Sequence, residues 1–193
     1  MAIDTGLGIA CADLQATGGI SQIIVREWAT GDAATFDNGA GKHGISSIVD
    51  TGASTATWYV HEFKNETPAL AVNGTKENGS TSFELGLNFY LPLMSEAKNH
   101  ELQNFFNACL MVIAVDTNGK QWVLGVSEKY GNEDVITKSQ NFAKLGTIEG
   151  GTGAAYSDEN GLAVNLMCKQ YELPREYTGT LTVDTSALTA TTN

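Results

Sequence analysis

The chain has no long hydrophobic run. None of its 193 residues lie in an apolar stretch of about 18 residues or more, and no basic segment precedes an apolar core. A helix that crosses a membrane needs the first feature, and a secretory signal needs the second. We therefore predict a protein made in the cytoplasm that does not enter a membrane and is not exported by a standard signal.

Basic residues are also scarce. Eleven Lys and Arg stand against 22 Asp and Glu, which gives a formal net charge of −11. A groove that binds nucleic acid tightly needs clustered cations, because its affinity comes largely from neutralising phosphates. The composition therefore argues against a tight phosphate-binding groove, although the same charge would also serve simple solubility.

Histidine offers no metal-binding or catalytic pattern. The three histidines are His43, His61 and His100, and none has a second histidine four residues away with a glutamate between them. We interpret His100 as a solvated residue on a helix and His61 as an outward-facing residue on a strand. The sequence predicts no metal and no cofactor.

Nucleophilic and phosphate-binding motifs are missing as well. There is no Gly-x-Ser-x-Gly turn, and the glycine-rich residues 150–155 lack the following helix and the Lys-Ser/Thr of a phosphate loop. Cys11, Cys109 and Cys168 are odd in number, and the last two lie in apolar runs typical of buried free thiols. We predict that the chain is not an enzyme. A carboxylate pair that meets only in space, as in glycosidases, leaves no sequence pattern, so that alternative stays open.

The informative part of the chain is residues 83–127. Alternating apolar residues predict a half-buried strand that Pro92 ends, and Ser95 then caps a helix near residues 95–107. The β-branched run CLMVIAVD predicts a central strand, and Asn118-Gly119 predicts a hairpin turn to its partner.

Short strands separated by polar loops account for the rest of the chain. We predict a mainly β fold, an antiparallel β-sandwich or partly open barrel flanked by one α-helix, with long loops and extended termini. Residues 30–44 and 73–82 are predicted to be loops. The predicted organisation is an N-terminal arm over residues 1–19, a single β domain over 20–184, and a C-terminal tail over 185–193 with little to bury.

Exposed strand edges and aromatic residues near loops suggest contacts between subunits. Loose arms and long loops leave strand edges unpaired, which is a hazard for a monomer but a binding surface in an assembly. Aromatic residues often anchor such interfaces, although the tryptophans would serve equally well in a core. The candidate inter-subunit residues are Trp28, Phe36, His43, Trp58 and Tyr59.

Taken together, these segments resemble the virion structural proteins of tailed phages, most closely the tail-tube proteins. The resemblance covers roughly residues 15–185 and rests on four features. They are the loose start MAIDTGLGIACADLQATGG, the early strands IIVREW and ATWYVHEF around the long loop, the helix SEAKNHELQNFFNA between two strands, and the late hairpin AAYSDENGLAVNLMCKQYE. No short motif in the chain is diagnostic of the family.

The resemblance implies a homo-oligomer in the virion tail. Its subunits would form rings, usually hexameric, whose sheets join into one inner barrel, and the long loop and N-terminal arm would reach the next ring. Other virion proteins would be partners, and DNA would pass through without specific binding, helped by like charge on the wall. The candidate acidic residues lining the lumen are Glu27, Glu62, Glu66 and Glu84.

Two other functions remain open. The chain could be a capsid decoration protein or another virion structural protein that forms no tube. It could also be a carbohydrate-binding β-sandwich that uses Trp58 and Tyr59 with nearby Asn and Asp loops.

Overall fold

The computed structural model describes residues 16–29, 31–50, 57–128, 141–155 and 157–192. Within these ranges the chain forms thirteen strands and one helix. Most of the predicted N-terminal arm lies outside the described residues. The elements are β1 (Ile20–Glu27), β2 (Asp32–Asp37), β3 (Gly44–Asp50), β4 (Trp58–His61), β5 (Ala69–Glu77), β6 (Ser80–Pro92), α1 (Glu96–Phe105), β7 (Leu110–Asp116), β8 (Gln121–Leu124), β9 (Lys144–Gly151), β10 (Gly161–Gln170), β11 (Arg175–Tyr177), β12 (Leu181–Asp184) and β13 (Thr189–Thr192).

The strands form two sheets. The large sheet has nine strands in the order β12-β13-β4-β1-β7-β8-β11-β3-β2, and the small sheet has four in the order β5-β6-β10-β9. All neighbours in both sheets are antiparallel except the parallel pair β11 and β3. The predicted fold class, a mainly β sandwich or partly open barrel with one helix, is confirmed.

The two central strands of the large sheet are buried on both faces. On β1, Ile23 and Val25 pack toward the small sheet, whereas Ile24 points into the concave side of the large sheet. On β7, Val112 and Ile113 divide in the same way. A strand covered on both faces needs a continuous apolar run rather than alternation, which explains the sequences IIV and LMVIA.

The large sheet curls around a second core. The Thr192 hydroxyl on β13 donates a hydrogen bond of 2.6 Å to the carbonyl of Ile48 on β3, although these strands lie near opposite margins of the sheet. The space enclosed by the curl is filled by apolar side chains that include Trp58, Phe142 and Tyr177. The result is a partly closed barrel packed against the small sheet.

The helix covers one end of the core that lies between the two sheets. The Ser95 side chain accepts a hydrogen bond from the Lys98 amide and so caps α1 at the predicted position. Leu102 and Phe105 are the buried residues of the helix and pack into the core between the two sheets.

The loop predicted over residues 30–44 contains a strand, so that prediction is wrong. Strand β2 pairs with β3 there, and Asp32 at its start is buried in an ion pair with Arg26 of β1. Glycine, aspartate and alanine are depleted or neutral in strands, so the local sequence gives no strand signal. The buried ion pair stabilises a strand that the local sequence does not favour.

The polar loop predicted over residues 73–82 is the outer half of a long hairpin. Strands β5 and β6 continue in register to a two-residue turn at Asn78 and Gly79, whose φ angles are 49° and 82°. Positive φ at both residues is typical of the tight turn that matches strand twist. The other Asn-Gly step lies within β5, where Gly74 leaves space for the ring of Phe83. Because no core covers this end, its strands lack apolar alternation.

The segment predicted to be a C-terminal tail also belongs to the sheet. Strand β13 pairs with β12 on one side and with β4 on the other, and Ala190 is buried. Threonine favours strands, but a run of Thr and Ala carries too little hydrophobicity to predict burial. The prediction that residues 185–193 have little to bury is therefore wrong for β13.

Candidate assembly surface

The margins of the small sheet are the longest free strand edges among the described residues. Its outer strands β5 and β9 have 9 and 8 residues, whereas the outer strands of the large sheet, β12 and β2, have 4 and 6. Within the described ranges no strand pairs with the outer edge of β5 or β9. Each edge therefore offers a row of backbone N–H and C=O groups to a further strand.

These two edges carry few of the features that usually prevent pairing. Both strands lack proline, and most of their side chains are exposed, with Leu70, Leu145 and Ile148 partly buried. Charged residues are confined to Lys76 and Glu77 near the hairpin tip, and to Lys144 and Glu149 on β9. Natural sheets commonly protect an exposed margin with proline, charged side chains, a β-bulge or a covering element. Of these features, the described margins have only these four charges and a bulge at Gly146 of β9.

The two margins are also complementary in direction. Because the small sheet has four strands and every neighbouring pair is antiparallel, β5 and β9 run in opposite directions. A copy rotated about an axis along the strands would therefore place its β9 antiparallel to β5 of the first copy. The same contact could repeat head to tail around a closed ring.

The outward face of the small sheet is polar and electrically balanced. Its charged strand residues, away from the hairpin tip, are Glu84 and Glu149 against Lys144 and Lys169, which sum to zero. The whole chain, by comparison, carries −11. The remaining outward residues are all uncharged, and only Tyr90 and Met167 have large side chains. They are Ala69, Ala71, Asn73, Thr75, Ser82, Gly86, Asn88, Tyr90, Thr147, Ala163, Asn165 and Met167.

A shallow hollow lies on this outward face. It has a volume of about 360 Å³ and is lined by residues that include Asn88, Tyr90, Thr147 and Glu149. The amide nitrogen of Asn165 donates to the side-chain oxygen of Asn88, while the side-chain oxygen of Asn165 is buried and has no hydrogen-bond partner in the described structure. The hollow therefore presents amide, hydroxyl and carboxylate groups to solvent.

Of the four predicted acidic residues, one lies on the outward face. Glu84 is on β6, 3.7 Å from Lys169 on the neighbouring strand. Glu27 ends β1 of the large sheet, and Glu62 and Glu66 lie in the connection between β4 and β5. All four are exposed, but the structure does not bring them together on one surface.

The predicted aromatic contacts on the large sheet have different environments. Trp58 is only 2% exposed and belongs to the core inside the curl, and half-buried Trp28 packs on Phe142 with ring centroids 5.8 Å apart. Tyr59, the next residue on β4, is 51% exposed. Among these three predicted residues, only Tyr59 presents about half of its side chain to solvent.

Phe36 and His43 both contact the segment of chain around Arg175. The Arg175 guanidinium lies over the Phe36 ring, 5.0 Å from its centroid, and the His43 ring nitrogen Nε2 lies 3.0 Å from the carbonyl oxygen of Leu173. Phe36 is half-buried and His43 is exposed. No local pattern signals this contact, because Phe36 and Arg175 are far apart in the chain.

Arg175 links three separate parts of the large sheet. Its side chain is 3% exposed and forms salt bridges of 2.6 Å with Glu128 and 2.9 Å with Glu172, and it donates to Asn38 at 2.8 Å. Burial alone would raise the pKa of Glu172, but hydrogen bonds from Arg175 and Ser127 outweigh burial and hold that pKa below its usual value. No local pattern signals this cluster, because its members come from three separate segments of the chain.

A large cavity lies between the helix and the large sheet. It measures about 760 Å³ and is lined by residues of β1, β4, α1 and the β12–β13 turn. His61 lines it and packs edge-on against Phe105 at 5.4 Å between ring centroids. Burial lowers the pKa of His61 to about 4, so the imidazole is neutral at pH 7. The interpretation of His61 as outward-facing is therefore wrong.

The two described thiols are wholly or partly buried. Burial raises the pKa of Cys168 to about 12, which leaves almost no nucleophilic thiolate at neutral pH. Cys109 is half-buried. Across the described ranges, no group of three or more His, Cys, Asp or Glu side chains could hold a metal ion. We find no helix in the described part of the chain long and apolar enough to cross a membrane.

Comparison with known proteins gives no match to this chain: no family model, no curated protein and no solved structure is significantly similar to it.

Proposed function

We propose that this protein is a structural subunit of a phage tail tube, which assembles into stacked rings that form a conduit for DNA. The observation that carries the proposal is the small sheet, whose two long margins are unpaired within the described ranges and opposite in direction. The resemblance of the sequence to virion structural proteins suggests the tube. The two free margins of the small sheet offer a way for the subunits to join.

The geometry of a closed ring is consistent with a conduit. Six copies, the usual number in the family, would contribute about 24 strands to one barrel. At roughly 4.8 Å between strands the circumference is about 115 Å, or about 37 Å across between backbones, and strand tilt widens it further. Barrels with roughly 16 to 18 strands already enclose a water-filled channel. A barrel of this size therefore has an open lumen.

The outward face suits passage of DNA. Tight binding to a duplex releases counterions from neutralised phosphates, and each such contact needs a cation on the protein. On this face Lys169 lies opposite Glu84, and Lys144 is balanced by Glu149 on the same strand. A wall without net charge or a cationic cluster would let the duplex slide without holding it.

The proposal is tested by blocking one margin without unfolding the subunit. Successive N–H groups along a strand point to opposite sides, so either Ala71 or Val72 of β5 points its N–H toward the free edge. Proline removes that N–H. Of the two single variants Ala71→Pro and Val72→Pro, we expect one to fold but lose assembly. The other should lose a bond to β6 and become less stable.

The measurement combines electron microscopy with sedimentation over a concentration series. We expect rings or tubes for the unmodified chain and folded monomers for the edge-blocking proline variant. If the unmodified chain stays monomeric at every concentration, or if both folded variants still form tubes, the proposal is wrong. Binding of monomers to purified capsids without tube formation would instead support the alternative of a capsid decoration protein.

A carbohydrate-binding module is the second candidate, and the hollow on the outward face is the observation that favours it. Its amide, hydroxyl and carboxylate groups, together with the exposed part of Tyr90, are the kinds of groups that bind sugar hydroxyls and ring faces. The version of this hypothesis that used Trp58 is not supported, because that side chain is in the core. A monomer that is retained on a glycan array, and loses retention in Asn165→Leu, would favour this function over a tube.

A further inference from the structure

Strand β9 has an unusual spacing of apolar residues. Leu145 and Ile148 both face the core, although they are three positions apart rather than two. On the neighbouring strand β10 their partners Leu166 and Val164 are two positions apart. Gly146 is the extra residue, and it makes a bulge that keeps both apolar side chains on the same face. A strand that pairs with the outer edge of β9 as β10 pairs with its inner edge would present two apolar residues two positions apart.

Strand β5 offers that spacing at the other margin of the sheet. Leu70 and Val72 are two positions apart and lie on the core-facing side, opposite Leu87 and Leu85 of β6. Strand β5 also runs in the same direction as β10, because both are antiparallel to β6. A copy of β9 would therefore meet on β5 the same direction and the same apolar spacing that it already meets on β10.

We propose that β9 of one copy pairs with β5 of the next copy in a single register, with Leu70 opposite Ile148 and Val72 opposite Leu145. This inference rests on the proposed function and deepens it by naming the junction. On the outward face the register places Ala69 opposite Glu149, as Ala163 is opposite Glu149 within the subunit. It also places Asn73 opposite Lys144.

Other registers match less well. A slip of one residue turns Leu70 and Val72 to the outward face, because side chains alternate along a strand. A shift of two residues toward the hairpin tip pairs Leu145 with Gly74, which has no side chain and is already covered by the Phe83 ring. A shift of two in the other direction moves Ile148 past the start of β5 to Pro68, which has no N–H to donate. Only the proposed register keeps both apolar pairs.

The surface beside β5 has room for such a neighbour. Val72 is 40% exposed, although it is on the core-facing side. A groove of about 380 Å³ adjoins it, lined by residues that include Ile20, Leu70, Trp122 and Pro174. Apolar side chains of a neighbouring β9 would extend the core across this junction and remove that surface from water.

The test is a disulfide between copies. In the full chain carrying Cys11→Ser and Cys109→Ser, with buried Cys168 kept, the double variant Ala69→Cys/Glu149→Cys places two thiols opposite each other across the junction. Opposite residues in an antiparallel pair have Cα atoms about 4.5 to 5.5 Å apart, within the range that a disulfide spans. After oxidation we expect a ladder of covalent oligomers on a non-reducing gel, ending at the ring size.

Three controls make the result specific to this junction. Each single-cysteine variant should give no cross-link, because the proposed contact joins different strands of the two copies. A dimer from either single variant would show that like edges pair, and would overturn the inference. The offset variant Leu70→Cys/Glu149→Cys places its thiols on opposite faces, so a ladder there as strong as that of the matched pair would also overturn it.

The outcomes for the junction and for the tube can be separated. If electron microscopy shows rings or tubes but the matched pair gives no ladder, the register is wrong and the proposed function stands. If the matched pair gives a ladder that grows with concentration but no ring or tube forms, the junction stands and the tail-tube function is wrong. If neither is seen at any concentration, both are overturned.

Discussion

The two sheets of this molecule solve the problem of exposed strands in different ways. The large sheet curls until strands near its margins touch, its central strands are buried on both faces, and its outer strands are short. The small sheet stays open, buries one face only, and leaves two long margins free. The contrast teaches that stability and association are carried by different parts of the chain. Changes in the large sheet should affect folding, whereas changes at the small sheet's margins should affect assembly.

The largest expected effect on stability is at Arg175. Arg175→Met leaves Glu128 and Glu172 without their buried cation, and breaking such a pair costs about 3–5 kcal/mol. Lys42→Met is the matched control, because it breaks the exposed pair with Asp37 at 2.9 Å, and such pairs contribute about 1 kcal/mol or less. Urea unfolding measures both. Equal losses for the two variants would contradict the role of Arg175 as the link between segments of the large sheet.

The second prediction compares the core and the margin of the small sheet. Leu87 is fully buried, so Leu87→Ala should lower the free energy of unfolding by about 2–5 kcal/mol. Val72→Ala should change the free energy of unfolding of the monomer by only about 0.5 kcal/mol, since its side chain is partly exposed. Sedimentation should nevertheless show that Val72→Ala raises the concentration needed for assembly. An unchanged assembly threshold would remove Val72 from the junction.

The third prediction concerns pH and the large sheet. Because burial lowers the pKa of His61 to about 4 from a usual 6.5, the unfolded chain binds a proton before the folded chain does as pH falls. The contribution of His61 to the free energy of unfolding is therefore fully present above about pH 6.5 and decreases as the pH falls to about 4. Between pH 7.5 and pH 5 this one group should cost about 2 kcal/mol. Chemical denaturation of His61→Leu should show much less loss over that interval, and an equal loss would contradict the assignment.

The smallest effect on stability, but a clear one on DNA, is expected on the outward face. Asn88→Lys/Asn165→Lys adds two cations per copy and should make assembled tubes retain a short duplex, with retention falling as salt rises. Thr182→Lys/Thr191→Lys adds the same charge to exposed positions of β12 and β13 and should change retention much less. Tight retention by the unmodified tube would contradict a non-binding wall.

Local sequence patterns predicted the elements whose signals are local. The apolar runs of β1 and β7, the alternation of β6 and β10, the Ser95 cap and the Asn118-Gly119 turn all depend on residues close together in the chain. Elements stabilised by distant partners were missed. Strand β2 contains the buried Asp32 that pairs with Arg26, and β11 combines one antiparallel and one parallel neighbour in only three residues.

The sequence predicted that the candidate site would contain free strand edges, but not which residues form them. The expectation of free strand edges followed from the loop-rich composition, but the residues proposed to form the contacts were chosen for being aromatic or acidic. Trp58 is in the core, and Glu27, Glu62 and Glu66 lie away from the outward face of the small sheet. The edges themselves lie in polar stretches without periodicity, because a strand exposed on both sides has no apolar face to reveal it.

By itself, the sequence determined a mainly β fold with one helix, since apolar periodicity, capping and turn chemistry act over a few residues. The tertiary structure alone decided which strands become margins, because strand order depends on pairings between residues far apart in the chain. It also decided that Arg175 would gather carboxylates from two segments, and that Glu84 and Glu149 on the outward face of the small sheet would be balanced by Lys144 and Lys169. Those properties arise from register, which fixes the neighbours of every side chain and is not written in any short stretch of the sequence.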